Sequence, residues 1–316
     1  MNSIPNEIIL EEIQCPNNCS GESDLVLSGR DLLHSLPGEF NIYRCRKCGL
    51  ERTTPRPSNE SMGYYYPESY GPYSDNPFIP LTSNGLKGRI IDFLGLESRK
   101  LPSIAPSRML ELGCSSGGYM EYARSKGWDV QGIEFSPMAA NLAIEKGFKV
   151  QIGSVENATY KPKEFNIIVA WMVMEHLHYP GVVLNKCLDW LNDDGYLVFL
   201  VPDRDSISRK LFGSLSFDTQ LPTHLFHYNE KSLKILLNNF GWDIVKIKHQ
   251  SNCNTFLKSL ENWCSARKFI RIGNYVHFFN TSNTTRIIRL MLSVIFGLLK
   301  QSGRIEVWAK PIKKYV

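Results

Sequence analysis

Residues 107–118 read SRMLELGCSSGG, an apolar segment that passes directly into a loop of small residues. The pattern predicts a strand over 107–112, a tight loop over 113–118 and a helix ending at about Lys126, before Gly127. Glycine lets a loop backbone turn sharply and approach a ligand closely. This order is typical of a parallel α/β sheet, which binds ligands outside the carboxyl ends of its strands.

Strand and helix signals keep alternating along the rest of the chain. Ser136 and Pro137 predict a second helix, which closes at Gly147. Pro180 opens another helix, and Asn229 caps a later one. Further strands are predicted at 128–134, 148–151, 165–171, 196–201, 243–248 and 304–309. We therefore predict an α/β fold with a Rossmann-like, seven-stranded, doubly wound sheet.

The 316-residue chain has an ordinary globular composition, with 43% hydrophobic and 21% charged residues, which excludes disordered, collagen-like and coiled-coil proteins. Its first residues lack the basic and apolar regions of a secretory signal. The apolar run 290–299 has about half the roughly 20 residues that a membrane-spanning helix needs. We therefore expect a cytoplasmic protein without a transmembrane helix.

The net charge of +5 is unevenly distributed. Residues 255–316 hold eleven Lys/Arg and two Asp/Glu, or +9, which leaves −4 for the preceding 254 residues. The basic region is either a solvated helical face or a cationic surface that meets phosphate groups or a membrane.

Four of the eight cysteines form two close pairs, a C-x3-C and a C-x2-C separated by 25 residues. In a cytoplasmic chain such spacing favours a metal site over disulfides. Four thiolates leave no open coordination position, so we expect structural zinc in a ribbon. The alternative, reduced cysteines packed in a dry core, fits poorly with Arg44, Arg46 and Lys47 around the second pair. The predicted ligands are Cys15, Cys19, Cys45 and Cys48.

A connector rich in Tyr and Pro follows the cysteines. It reads TTPRP over 53–57 and then has five tyrosines among Pro and Gly. These side chains either line the mouth of a pocket or pack the ribbon against the next domain. They are Tyr64, Tyr65, Tyr66, Tyr70 and Tyr73.

Two carboxylates stand at predicted strand ends, Glu111 on the first strand and Glu134 on the second. A carboxylate at the second strand end can accept both ribose hydroxyls of a nucleoside. Glu111 would repel a dinucleotide pyrophosphate but attract an ammonium and a sulfonium. The pair favours S-adenosylmethionine over NAD.

Four segments in this order resemble the motifs of class I S-adenosylmethionine-dependent methyltransferases. They are MLELGCSSG (109–117), QGIEFSP (131–137), FNIIVAWMVMEHLHYP (165–180) and DGYLVFLVP (194–202). The front of the chain resembles the zinc-ribbon subgroup of that family, in which a cysteine knuckle, a Pro-Arg-Pro stretch and a Tyr-rich segment precede the core.

The resemblance implies a set of cofactor-binding residues. Glu111, Gly113 and Gly117 would face the methionine part of the cofactor, and Cys114, Ser115 and Ser116 would lie in the loop. Glu134 would hold the ribose, with Phe135 beside the adenine and with Ser154 and Val155 at the adenine edge. Ser154 stands where the family often has an acid. Trp171 and Met172 would lie near the sulfonium or the acceptor.

The general base is expected among histidines after the fourth and fifth strands, because histidine accepts a proton near neutral pH. The candidates are His224, then His176 and His227, with Glu175 beside His176. The alternative is that these histidines only pack beneath the acceptor pocket. MEH (174–176) resembles the E-x-x-E-H metal motif of ubiquinone-pathway O-methyltransferases, but Met172 replaces its first acid, so we predict no Mg²⁺ site.

Residues 251–302 are too long for a hairpin between the last two strands and are expected to be a helical insertion. Within it, 285–300 is expected to be a helix buried against the core, a lid over the acceptor, or a membrane-surface helix that reaches lipid-linked acceptors. The predicted parts of the chain are a zinc ribbon (1–55), a connector (56–105), the methyltransferase core (106–250), the insertion (251–302) and the last strand (303–316).

The sequence therefore predicts a methyltransferase that transfers a methyl group from S-adenosylmethionine to a small molecule or a glycan precursor. The sugar acceptor follows from the family resemblance alone, and oxygen, carbon and nitrogen all stay open as the methylated atom. The alternatives are an RNA-binding or RNA-methylating protein, an NAD-dependent sugar oxidoreductase and a cofactor-free scaffold.

Overall fold

The computed structural model describes residues 4–19, 21–67, 71, 78, 86–97, 99–101 and 104–313. The strands in these ranges are β1 (Leu10–Glu11), β2 (Ser23–Gly29), β3 (Phe40–Cys45), β4 (Glu51–Thr53), β5 (Arg56–Pro57), β6 (Arg108–Leu112), β7 (Asp129–Glu134), β8 (Lys149–Ile152), β9 (Phe165–Trp171), β10 (Leu191–Pro202), β11 (Phe226–His227), β12 (Trp242–His249) and β13 (Arg304–Pro311). The helices are α1 (Leu86–Phe93), α2 (Gly118–Ser125), α3 (Pro137–Glu145), α4 (Pro180–Trp190), α5 (Ile207–Phe212), α6 (Glu230–Asn239), α7 (Asn254–Ala266), α8 (Ile270–Thr281) and α9 (Arg286–Leu298).

The central sheet has seven strands in the order β12-β13-β10-β9-β6-β7-β8. Strands β8, β7, β6, β9 and β10 run parallel, and β13 lies antiparallel between β10 and β12. The predicted class I methyltransferase sheet is therefore confirmed. Most predicted strands end within two residues of the observed ones, but β10 begins five residues early, at Leu191.

The sequence explains where the helices of the core begin. Ser136 accepts a hydrogen bond from the backbone N–H of Ala139, and Pro137 opens α3. Asn229 caps α6 through a capping box with Ser232. In the sheet, every β9 residue except Asn166 is buried, as expected for a central parallel strand covered on both faces.

A four-stranded sheet in the order β11-β4-β3-β2 forms the N-terminal module. Its edge strand β11 comes from the core, between α5 and α6, so the module and the core share one sheet. The buried carboxylate of Glu51 strengthens this connection, because it pairs with Arg44 of the module and with Arg204 and Arg209 of the core. The predicted domain limits stay predictions.

Helices α7, α8 and α9 form the insertion between β12 and β13. Helix α7 packs against residues 213–219: Ser259 Oγ accepts a hydrogen bond from Phe217 N at 2.9 Å, and Asn262 donates to the Leu215 carbonyl at 3.2 Å. Along α9 only Ser293 is buried. The expectation of a helix buried against the core is therefore wrong, because α9 turns its large apolar side chains to solvent. Among the described helices, none combines the length and the apolar character needed to span a membrane.

Candidate functional site

A cavity of about 550 Å³ lies at the carboxyl ends of β6, β7 and β9. The core lines most of this cavity, and residues of the N-terminal part, among them Asn59, Met62 and Tyr66, complete its lining. The lining residues predicted from sequence are Glu111, Gly113, Cys114, Ser115, Ser116, Glu134, Phe135, Ser154, Val155, Trp171, Met172, His176 and His224. Their roles stay predictions, but the fold does bring them together.

Glu134 fixes the loop between β6 and α2. Its carboxylate accepts hydrogen bonds from Ser115 N and from Ser136 N, each at 2.8 Å. Burial raises the pKa of this carboxyl group, while the backbone N–H groups of Ser136, Ser115 and Phe135 oppose the rise by stabilising the charged form. A carboxylate has about four acceptor positions, so the backbone contacts leave capacity for a ribose hydroxyl.

Gly113, the first residue of the loop after β6, has a positive backbone φ of 66°. A Cβ at this position would lie 2.6 Å from Val173 Cγ2, so only glycine fits. The N–H groups of Gly113 and Cys114 both donate to the Ile133 carbonyl, which ties the loop to the end of β7.

Glu111 and Arg99 both line the cavity, and the charge of Arg99 acts on the Glu111 carboxyl group. Glu111 is buried, and its Oε2 accepts no hydrogen bond from any described residue. Burial raises its pKa well above the ordinary value, and the nearby charge of Arg99 opposes the rise. Arg99 lies in the connector, where no sequence pattern distinguishes it as a site residue. A guanidinium and a carboxyl group together suit the zwitterionic methionine end of S-adenosylmethionine.

Aromatic side chains form a wall beside this pair. The rings of Tyr119 and Trp171 are 5.3 Å apart, and Phe78 contacts Tyr119 at 5.4 Å, both edge to face. Such a wall excludes water and strengthens electrostatic interactions inside the cavity.

Gly117 does not line the cavity, contrary to the prediction. It precedes α2 with a φ of 80°, and a Cβ there would lie 3.1 Å from Ala143 Cβ. Its function is therefore conformational: it lets the loop turn into α2 against α3.

His227 also lies away from the cavity, so its assignment as a base is wrong. Strand β11 pairs with β4, which places the buried His227 ring against Thr53 with Nε2 and Oγ1 3.2 Å apart. Burial and the charge of Arg209 lower the pKa of His227 well below its ordinary value.

His176 and His224 both line the cavity, with ring centres 4.7 Å apart. His176 Nδ1 is 2.9 Å from the Thr223 carbonyl and 2.7 Å from Tyr66 Oη. Since a carbonyl only accepts, we assign the tautomer with Nδ1–H, which leaves a lone pair on Nε2. His224 makes a similar bond to the Asp218 carbonyl at 2.8 Å, but its ring is only 1% exposed, against 18% for the side chain of His176.

Glu175 completes this group. Its Oε1 lies 4.0 Å from His176 Nε2, and neither oxygen accepts a hydrogen bond from any residue that the structure describes. Burial raises the pKa of Glu175 to about 8, and burial lowers that of His176 to about 4. At neutral pH the imidazole is therefore uncharged.

The connector tyrosines divide between both predicted functions. Tyr66 lines the cavity, whereas Tyr65 packs edge to face on Phe40 and donates to the Pro37 carbonyl at 2.9 Å. Tyr70 and Tyr73 lie outside the described residues. No periodicity distinguishes Tyr66 from its neighbours, so only the fold identifies it.

The four predicted zinc ligands converge in the N-terminal module. Their Sγ atoms all lie within 4.8 Å of one another, and those of Cys15 and Cys48 are 3.4 Å apart. A tetrahedral zinc with bonds of about 2.3 Å needs sulfurs about 3.8 Å apart, so the cluster fits the ion. Burial raises the pKa of Cys45, but backbone N–H groups of Cys48 and Lys47 outweigh it and bring the pKa to about 7.

The model of the family described as "Methyltransferase domain" matches residues 85–247. The chain belongs to this family. Its core is that of a class I S-adenosylmethionine-dependent methyltransferase. The match leaves the cysteine module outside, so membership of the zinc-ribbon subgroup stays a prediction.

Curated relatives include ubiquinone biosynthesis O-methyltransferases. The one from Bordetella avium is 27% identical over 110 residues, which are 33% of this chain and 46% of the relative. The one from Azorhizobium caulinodans is 24% identical over 125 residues, which are 38% of this chain and 49% of the relative. The chain spans about half the length of these relatives.

Among solved structures, an S-adenosylmethionine-dependent methyltransferase from Archaeoglobus fulgidus is 18% identical, with a TM-score of 0.46 over 70% of this chain and 90% of that one. A geranyl diphosphate C-methyltransferase from Streptomyces coelicolor is 12% identical, with a TM-score of 0.46 over 72% and 78%. Similarity at this level carries no statement about the acceptor.

Proposed function

We propose that this protein transfers the methyl group of S-adenosylmethionine to a hydroxyl oxygen of a polar small molecule, of which a carbohydrate precursor is the favoured class. The observation that carries the proposal is that one cavity is lined both by Glu111 and Glu134, which we call its donor end, and by Tyr66 and His176, which we call its acceptor end.

The donor end matches each part of S-adenosylmethionine. Glu111 would hold the ammonium and Arg99 the carboxylate, while Glu134 would accept hydrogen bonds from the ribose hydroxyls. When bound, the sulfonium supplies an electrophilic methyl group. The protein's contribution is to hold the acceptor in line with it.

The acceptor end supports an oxygen nucleophile. Tyr66, Gln220 and His178 bring polar groups to this end, as a hydroxyl-rich acceptor requires. His176 Nε2 would remove the acceptor hydroxyl proton as the new C–O bond forms, and S-adenosylhomocysteine would leave. The relatives' name, O-methyltransferase, supports the same atom. His224 packs on His176 and would position it.

The cysteine cluster supports a structural zinc ion that holds the N-terminal module. Since this module supplies Tyr66 through the following connector, zinc would act on the acceptor end through the fold and take no part in the reaction.

The test is methyl transfer from S-adenosylmethionine carrying a tritiated methyl group to a panel of nucleotide sugars, free sugars, catechols and RNA, read by the tritium recovered in the acceptor and by the S-adenosylhomocysteine formed. We expect turnover on a nucleotide sugar or free sugar, with an O-methyl product in mass spectrometry and NMR. An N-methylated or C-methylated product, or transfer to RNA alone, would overturn the proposal.

A further inference from the structure

Helices α8 and α9 expose a large apolar surface. Ile270 and Tyr275 of α8 are 71% and 76% exposed, and Ile287 and Leu298 of α9 are 72% and 79% exposed. We call this surface the α8–α9 face and define it by Ile270, Tyr275, Phe278, Ile287, Met291 and Leu298, all of which are exposed. Large apolar side chains exposed along two consecutive helices mark an interaction site.

Helix α9 is amphipathic, but most of its large apolar side chains face solvent and not the protein. Ser293 Oγ points inward, accepts a hydrogen bond from Cys253 N at 3.0 Å and donates to the Arg289 carbonyl. Gly297 packs so tightly on Ser251 that a Cβ would lie 2.2 Å from Ser251 Oγ. A helix that packs only on its own domain turns its apolar side inward. Here Ser293 and Gly297 face the protein beside Phe296, whose ring packs on Phe256 at 5.4 Å, while most of the other large apolar side chains are exposed.

Exposed basic residues flank α8 and α9 in the sequence. Residues 254–300 contain seven Lys/Arg and one acid, Glu261. The side chains of Arg267, Lys268, Arg271 and Arg286 are exposed, and they lie at or next to the ends of α8 and α9. We call these four residues the cationic border of the α8–α9 face.

We propose that the α8–α9 face binds the surface of an anionic lipid bilayer, with its apolar side chains among the acyl chains and its basic border on the lipid headgroups. A two-fold contact between copies would bring two cationic borders together, and the repulsion disfavours it. A bilayer supplies an apolar phase and negative charge together. The proposal does not depend on the reaction that the cavity performs.

The test is flotation of the full-length protein with phosphatidylcholine vesicles, with and without phosphatidylglycerol, at low and high salt. Wild type should bind the anionic vesicles at least about tenfold more than the neutral ones, and high salt should weaken that binding. The variant I287S/M291S/L298S should bind anionic vesicles at least about tenfold less. R271Q/R286Q should lose most of the preference for phosphatidylglycerol.

A matched control removes exposed apolar side chains elsewhere, at Ile144 of α3 and Val182 of α4. The variant I144S/V182S should float like wild type, and circular dichroism should show that every variant is folded. Equal flotation of wild type and I287S/M291S/L298S would overturn the proposal. So would a wild-type dimer, in sizing experiments without lipid, that this triple variant abolishes, because a second copy would then cover the face.

Discussion

The Glu134 carboxylate accepts the backbone N–H of Ser115 at 2.8 Å, which joins the end of β7 to the loop after β6. The residue expected to bind ribose thus also shapes the loop expected to surround the methionine part. Replacing Glu134 therefore removes two functions together.

We predict that Glu134→Ala weakens S-adenosylhomocysteine binding about 30-fold or more, since charge-assisted hydrogen bonds contribute roughly 1.5–3 kcal/mol. The Ser115 amide should also exchange faster with deuterium. Calorimetry and hydrogen exchange measure the two effects. Glu145→Gln on the exposed side of α3 is the control. Unchanged affinity in Glu134→Ala would remove this residue from the site.

The assignment of His176 as base predicts that His176→Asn lowers kcat about 100-fold or more with little change in KM. Tyr66→Phe should have a smaller effect, because it removes a hydroxyl 2.7 Å from Nδ1 but leaves the Thr223 carbonyl in place. Steady-state kinetics with the acceptor found by the panel measure both. His227→Asn, which lies away from the cavity, should keep the kcat of the folded enzyme. If Tyr66→Phe or His227→Asn lowered kcat more than His176→Asn, the base would have to be a residue other than His176.

Glu175 predicts a pH dependence of stability. Its pKa rises from an ordinary 4.5 to about 8 in the folded protein because of burial. The contribution of protonated Glu175 to the free energy of unfolding is therefore fully present below about pH 4.5. It is lost as the pH rises through 8, by about 1.4 kcal/mol for each unit of the pKa difference. Glu175→Gln should lose less Tm than wild type between pH 5 and pH 8. The Tm of the variant should still fall somewhat as the pH rises, because burial also raises the pKa of Asp218, to about 7. An equal fall of Tm between pH 5 and pH 8 in wild type and Glu175→Gln would contradict this account.

The cysteine cluster predicts one zinc ion per chain in elemental analysis of the purified protein. Cys45→Ser should lose the ion. Removal of zinc from the wild-type protein by a chelator should lower the Tm by several degrees, because zinc binding at such a site contributes to the free energy of folding. Cys187→Ser, a buried cysteine of α4 outside the cluster, should keep the metal. A wild-type protein that is folded, fully reduced and free of zinc would sink the assignment.

Sequence reasoning succeeded where periodicity and strand ends determine position. Glu111 and Glu134 were found because the carboxyl ends of parallel strands converge at one edge of the sheet. The same reasoning failed for His227, because β11 leaves the core and pairs with β4, which turns that ring toward Thr53.

Two further features follow from tertiary packing alone. Arg99 and Tyr66 come from a connector without periodicity, so nothing in the local pattern distinguishes them from their neighbours. The apolar positions of α9 indicate a helix, but a pattern does not say which side the domain covers, and the structure exposes the apolar one.

Calorimetric titration of the wild-type protein with S-adenosylhomocysteine, and separately with NAD, tests the central claim most directly. We predict that S-adenosylhomocysteine binds at one site per chain and that NAD shows no measurable heat. Binding of NAD without binding of S-adenosylhomocysteine would contradict the assignment of Glu111 and Glu134 to a methyl-donor site.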